Sequence, residues 1–349
     1  MSARVSPAVR FGIVGTGAIA AAHAGAIRSL ASAKLAGVTD IDATIGRTFA
    51  AAWEAPFFES LETLIETARP DFIVVCTPPS THPQLALAAI SAGCHVLCEK
   101  PLAIDEPSAI AMLDAAAEAG VILTMATKFR YVADIIRARS MIKLGALGQI
   151  HLIANEFRSP VSMEKRWNSN PALSGGGVFI DNGTHSVDIL RYLAGPLESV
   201  SVTSESSQGS LSVEDDAQLL ARFTYGAFAR VELSWARPAV SPYFVQIVGS
   251  QGRALIGWKE SKYRLEPSRE WQPLGTGYDK LAAFERQYEN LVDVIAGRAA
   301  IEVGREDALS SVQAIAAGYA SLRNGGWMSV DGKKASSHTP DAERAIALL

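Results

Sequence analysis

The sequence predicts an α/β chain in two parts. A parallel sheet wrapped by helices comes first, followed by an α+β domain with an open-faced, largely antiparallel sheet. Three observations carry this reading. Short apolar runs and amphipathic stretches alternate as far as about Ala126, as strand–helix–strand units do. The run Gly15-Thr16-Gly17-Ala18-Ile19-Ala20 stands between the first strand and the first helix. Beyond Ala126 the rhythm changes, and extended runs follow one another in series.

In the first part, strands are expected at residues 10–14, 34–39, 72–76, 95–98 and 121–125, with a short one near 56–58. The helical stretches between them are 18–30, 43–53, 60–68, 83–92 and 105–119. Gly93 and Gly120 sit where two of these helices must stop. Pro83 and Pro107 fall at helix starts, where a missing N–H does no harm. The second part opens with a helix at 133–144 and a strand at 149–157, then a helix at about 181–194. Extended runs follow at 199–203, 216–224, 227–233, 243–249 and 253–258, with Thr224-Tyr225-Gly226 as a hairpin turn. Helices at 281–296 and 305–322 complete the chain. A length of 349 residues fits two domains, 1–127 and 128–349, the second for substrate and self-association.

A formal net charge of −4 argues against nucleic-acid or polybasic membrane partners. No apolar stretch approaches a bilayer span. Residues 1–7 carry a basic residue but no signal core, and Phe11-Gly12-Ile13-Val14 already reads as a strand, so a cytoplasmic location is expected. The three cysteines, Cys76, Cys94 and Cys98, suit a reducing compartment. On an extended strand, Cys94 and Cys98 stand roughly 13 Å apart, too far to share a metal.

The glycine loop has the context of a dinucleotide site. Gly15 permits the tight turn, Gly17 lets the backbone approach a pyrophosphate, and a small Ala20 lets helix and strand pack closely. The N–H groups of Ala18 and Ile19 open the helix, where the dipole favours an anion. Asp40 follows the second strand and is placed to bind the adenosine ribose. Asp42 adds negative charge, so NAD is expected over NADP, and Arg47 is the residue best placed to reverse that preference. Thr77 and Pro78 form another wall of the crevice. His82 stands beside them, with an ordinary reading as a loop or helix-start residue. Glu99 and Lys100 lie at the end of the fourth strand, where an open parallel sheet faces its ligand crevice.

The second constellation is Gly175-Gly176-Gly177 followed by Asp181, His185 and Asp188. If Asp181 begins a helix, Asp181 and His185 share one face, and the glycines let the chain pass close to a ligand. Taken alone, Asp181 also reads as an N-cap and His185 as a satisfied helix histidine. Asp188 is the sole nearby third ligand for a metal, and no metal is expected. Lys128, Arg130, Arg158 and Trp167, with Glu156 and Arg166, are candidates to line a substrate cleft.

The glycine loop, Glu99-Lys100-Pro101 and Gly175–Asp188, in this order and spacing, resemble the glucose-fructose oxidoreductase / inositol dehydrogenase / rhizopine catabolism (Gfo/Idh/MocA) family. The likeness extends over nearly the whole chain. It implies an N-terminal Rossmann domain and a C-terminal open-faced sheet used for oligomerisation, hence a homodimer or homotetramer. It also implies NAD(P)-linked chemistry on sugars, inositols and related polyols. The family's catalytic lysine, aspartate and histidine fall on Lys100, Asp181 and His185. Asp134 departs from the pattern, since many relatives carry a proline there; an effect on the local helix or on substrate choice is expected. In such a reaction His185 would exchange the hydroxyl proton, Lys100 would polarise the reacting oxygen, and Asp181 would orient them. Two other functions use the same parts: a dinucleotide-dependent sensor without catalysis, and a glycosidase that oxidises its sugar transiently with bound NAD.

Overall fold

The computed structural model describes residues 8–205, 211–268 and 270–331. Residues 1–7, read above for a signal segment, lie outside them. The chain forms two compact units. Of the described residues, one holds those up to Tyr131 and Lys280–Leu309; the other holds Val132–Asp279 and those from Ser310 onward. Lys280–Leu309 therefore packs with the first unit, whereas a single cut after residue 127 leaves it with the second. The cause is hydrophobic. The helix Lys280–Ile295 buries Phe284, Tyr288, Leu291 and Val292 in the core beneath the first sheet, with the Tyr288 ring edge-on to Phe11 at 4.8 Å.

The first unit contains, in order, β1 (Val9–Val14), α1 (Ala18–Ser29), β2 (Ala33–Thr39), α2 (Ala43–Ala52), α3 (Leu61–Ala68), β3 (Phe72–Val75), α4 (His82–Ser91), β4 (His95–Glu99), α5 (Glu106–Ala119) and β5 (Leu123–Ala126). Its five strands are all parallel, in the order β2-β1-β3-β4-β5. Strand order reverses on either side of β1, so the loops after β1 and β3 diverge and leave a crevice at the carboxyl edge. All four residues of β3 are buried, as expected of a strand covered on both faces. The short strand expected near 56–58 is reduced to a single bridge between Phe57 and Val38, so the sheet has five strands, not six. Asp42 caps α2 by accepting from Thr44 and Ile45 N–H, and Gly120 ends α5 in the left-handed region at φ 66°.

The second unit contains α6 (Ala133–Lys143), β6 (Ile150–Arg158), α7 (Pro171–Ser174), α8 (Val178–Ala194), β7 (Leu197–Ser204), β8 (Asp216–Phe223), β9 (Phe228–Ser234), β10 (Tyr243–Gly249), β11 (Gly252–Gly257), β12 (Ser261–Leu265), β13 (Gln272–Gly275) and β14 (Met328–Ser329). These strands make one nine-stranded sheet, β13-β12-β11-β10-β6-β9-β8-β7-β14, antiparallel except for the parallel pair β6–β9. α8 lies on one face, where Gly183 faces Leu233 of β9, the register partner of Phe157 in β6. Alternation turns Glu156 and Arg158 to the opposite face, together with Arg230 and Glu232. Asp134, fully buried in the first turn of α6, accepts from Gly277 N–H at 2.8 Å and from Arg137 at 3.0 Å. The aspartate thus fastens the start of this helix to the loop after β13.

Candidate functional site

In the first unit the glycine loop is built as the sequence reading expects. Gly15 has φ +84°, and a Cβ there would stand 2.7 Å from the Thr77 methyl and 3.0 Å from the Cys76 carbonyl. Only glycine fits so close to the end of β3. Gly17 caps α1 without a side-chain hydrogen bond, and a Cβ on it would meet nothing within 4 Å. The N–H groups of Ala18 and Ile19 therefore begin a helix whose entrance is open, and Ala20 behind them is fully buried. A helix N-terminus open in this way can receive an anionic group. Asp40 is tied to the loop: Oδ2 accepts from Thr16 N–H at 2.6 Å and Thr16 Oγ1 at 2.8 Å, and Oδ1 accepts from Asp42 N–H at 2.9 Å. The carboxylate stands beside the loop, where a ribose would lie. Arg47 is drawn elsewhere, pairing with Glu59 and lying 4.7 Å over the Phe57 ring.

The loops after β3 and β4 are joined by His82. Its Nδ1 lies 2.9 Å from the Pro101 carbonyl and its Nε2 2.9 Å from the Thr77 carbonyl, with the ring fully buried. Burial pushes this imidazole below its ordinary value of 6.5, against the raising effect of those carbonyls and of Glu99. His82, grouped with the cofactor residues on sequence, thus keeps its ring inside the protein between the two loop walls, where in its neutral form it donates to one of the two carbonyls. Its neighbours Thr77 and Pro78 are half-buried at the mouth of the crevice.

Glu99 ends β4 and is likewise turned inward. Oε1 is 2.9 Å from His23 Nε2, Oε2 accepts from Lys100 N–H at 3.1 Å, and His23 Nδ1 is 2.9 Å from the Tyr288 hydroxyl. Burial raises this carboxyl, but the hydrogen bond to His23 and the charges of Lys100 and Lys128 outweigh it and hold Glu99 below the usual carboxylate range. The half-buried Lys100 follows at the strand end, and Lys128 lies just past β5, whose Ala126 pairs with Glu99. Arg130 has a structural task. It is 3 % exposed, donates to the Glu302 carbonyl at 3.1 Å and pairs with Asp307 at 2.9 Å, so it anchors Lys280–Leu309 and leaves the substrate set. Burial pushes the Cys76 and Cys98 thiols well up, which makes them inert packing residues.

In the second unit α8 begins at Val178, not at Asp181. Gly177 is the N-cap, so Asp181 stands in the first turn and is not the cap. His185 follows one turn later, buried, and Asp188 is buried beyond it. The cap is supplied from outside the helix. Glu214 Oε1 accepts from Gly177 N–H at 2.9 Å, Phe179 N–H at 3.2 Å and the Tyr319 hydroxyl at 2.7 Å. The glycines serve this clasp: a Cβ on Gly177 would lie 1.9 Å from the Glu214 carbonyl, and one on Gly176 would lie 1.8 Å from the Tyr319 hydroxyl. They make room for protein, where the sequence suggested a ligand. Arg158 is also reassigned, since it donates to Glu232 at 2.9 Å on the sheet face opposite α8, away from Asp181 and His185. Trp167 is 40 % exposed in a short helical turn before α7. His23, Tyr288, Glu214 and Tyr319 were not singled out from sequence. A histidine on the otherwise apolar buried face of α1, beside Ala20, Ala24 and Ile27, was the one available signal.

A parallel five-stranded sheet with an open glycine loop at its switch point and a mixed nine-stranded sheet are the two parts that known families can be compared with. Residues 9–127 match the oxidoreductase family with an NAD-binding Rossmann fold, and residues 135–255 match the GFO/IDH/MocA C-terminal domain. The chain belongs to the GFO/IDH/MocA oxidoreductase family. It is 31% identical to glucose-6-phosphate 3-dehydrogenase of Bacillus subtilis over 188 residues, which cover 53% of each chain. To myo-inositol 2-dehydrogenase of Thermotoga maritima it is 27% identical over 257 residues, 70% of this chain and 74% of that one. The crystal structure of GenD2 from gentamicin A biosynthesis, in complex with NAD, superimposes with a TM-score of 0.82 at 26% identity, covering 94% of this chain and 98% of that chain. Among the described residues no helix is long and apolar enough to cross a membrane.

Proposed function

We propose that this protein is an NAD-linked dehydrogenase or reductase that moves hydride between the cofactor and a secondary alcohol or carbonyl of a sugar, inositol or related polyol. The observation that carries the reading is the lysine at the end of β4, on the crevice edge that holds the open glycine cradle. Bound nicotinamide supplies the hydride acceptor or donor. The protein's own groups then have separable tasks. Gly17, Ala18 and Ile19 receive the pyrophosphate, and Asp40 takes the ribose hydroxyls. A 2′-phosphate would meet the Asp40 carboxylate, while Arg47 is occupied with Glu59 and Phe57; both favour NAD over NADP. Lys100 donates to the reacting oxygen and stabilises the charge that develops on it. His185 takes the hydroxyl proton in oxidation and returns it in reduction, and Asp181, one helical turn before it, orients the charged groups. Lys128 and Trp167 remain as candidate substrate contacts. The sheet face opposite α8, with its charged rows and Leu220 45 % exposed, is the surface we assign to a second copy of the chain.

A panel of sugars, inositols and polyols with NAD and with NADP, followed by absorbance of the reduced cofactor, tests this function. Turnover on at least one member with NAD is expected, and a fall of about a hundredfold or more in kcat for Lys100→Met and for His185→Ala. Full turnover by both variants would remove these residues from the mechanism. Cofactor binding without turnover anywhere on the panel would instead indicate a sensor.

A further inference from the structure

We propose that Tyr288, His23 and Glu99 form a buried hydrogen-bonded relay that positions Lys100 and ties it to the cofactor helix. The inference rests on the role given to Lys100 above and adds three residues to it. The chain of contacts is continuous: Tyr288 hydroxyl to His23 Nδ1 at 2.9 Å, His23 Nε2 to Glu99 Oε1 at 2.9 Å, and Lys100 N–H to Glu99 Oε2 at 3.1 Å. Tyr288 and His23 are fully buried and Glu99 is 8 % exposed, so this polar chain is shielded from water along its length. A polar chain in such a place persists only when each link is made.

The donors can be ordered. A carboxylate only accepts, so His23 must carry its proton on Nε2 to reach Glu99. In the neutral ring Nδ1 is then an acceptor, and Tyr288 donates to it. Burial drives the Tyr288 hydroxyl well up, which keeps it a donor. The relay draws on three elements: the Lys280–Ile295 helix, α1 and the end of β4. α1 is the helix whose N-terminus forms the pyrophosphate cradle. The same chain therefore fixes the Lys100 turn relative to the cofactor site and sets a carboxylate beside Lys100. These are positioning residues: they act through Lys100 and touch no reacting atom.

The test contrasts two substitutions of His23. Gln can donate to Glu99 and accept from Tyr288, whereas Leu fills similar space and does neither. We expect kcat of His23→Gln within about threefold of wild type and of His23→Leu lower by about tenfold or more, with NADH affinity by fluorescence changed less than kcat. Equal activity of the Gln and Leu variants would reduce His23 to packing and overturn the relay. Should His23→Leu fail to fold, nitrogen-15 NMR of the wild-type histidines, assigned with His23→Gln, gives an independent reading. It must show His23 carrying a proton on Nε2, the atom that faces Glu99; a ring bare at Nε2 would refute the relay. Full turnover by Lys100→Met would refute the role given to Lys100 instead, and the tautomer result would be untouched by it.

Discussion

At the scale of single residues, the two loop glycines look alike in sequence and differ in their surroundings. An added methyl at Gly15 would press on the Cys76 carbonyl in a left-handed turn, whereas one at Gly17 would point into open space. Gly15→Ala should therefore lower stability by about 1–3 kcal/mol. Gly17→Ala should leave the melting temperature nearly unchanged yet weaken NADH binding by about tenfold or more. Thermal melts paired with fluorescence titration separate the two outcomes. His82 makes a pH prediction. Burial keeps its ring below the ordinary value of 6.5, so below that pH the unfolded chain binds a proton that the folded ring resists. Its contribution to stability is present above 6.5 and is lost as pH falls through the folded value. The stability gap between wild type and His82→Gln, read from urea midpoints, should narrow between pH 7.5 and about pH 5. A gap that widens would contradict the buried neutral ring.

Among the elements, α8 is the one whose placement depends most on a distant residue. Its own N-cap is a glycine with no side chain to offer, and Glu214 fills that role from the segment before β8. Glu214→Ala should cost about 1–3 kcal/mol by orphaning two helix N–H groups and the Tyr319 hydroxyl. Because Asp181 and His185 ride on this helix, kcat should fall with it. Glu214→Gln, which still presents an acceptor oxygen, should recover most of the stability; chemical denaturation and steady-state kinetics on the same samples would show it. The helix was legible in sequence from Asp181 onward, but its first turn was not. Gly175-Gly176-Gly177 is ordinarily a loop signal; Gly175 ends α7 in the left-handed region, and only the approach of Tyr319 and Glu214 explains why Gly176 and Gly177 carry no side chains. β12 and β13 were also missed. Ser261–Leu265 is mostly half-exposed and Gln272–Gly275 contains a proline, so neither shows the apolar alternation that marks a strand.

For the whole molecule, the proposed oligomer follows from the sheet face opposite α8, where Leu220 is 45 % exposed among charged rows. Leu220→Glu on that face should shift the mass in light scattering toward the monomer while leaving the melt cooperative, if a second copy covers it. An unchanged mass would remove this face from assembly. The sequence by itself determined the parallel first sheet, the glycine turn beside Asp40, the lysine at a strand end and the i, i+4 spacing of Asp181 and His185 on one helix. These are local properties: strand and helix periods, turn chemistry and short spacings are written in neighbouring residues. Tertiary structure decided what long-range contacts decide. It sent Lys280–Leu309 back to the first unit because the apolar stripe of that helix fits the core under Phe11. Arg130 and Arg158 were taken from the substrate set by partners far along the chain, Asp307 and Glu232. His82 and Glu99 were turned inward to other loops and helices. An isolated charge in a sequence carries no record of its partner, and burial with that partner is what separates a structural residue from one that meets a ligand.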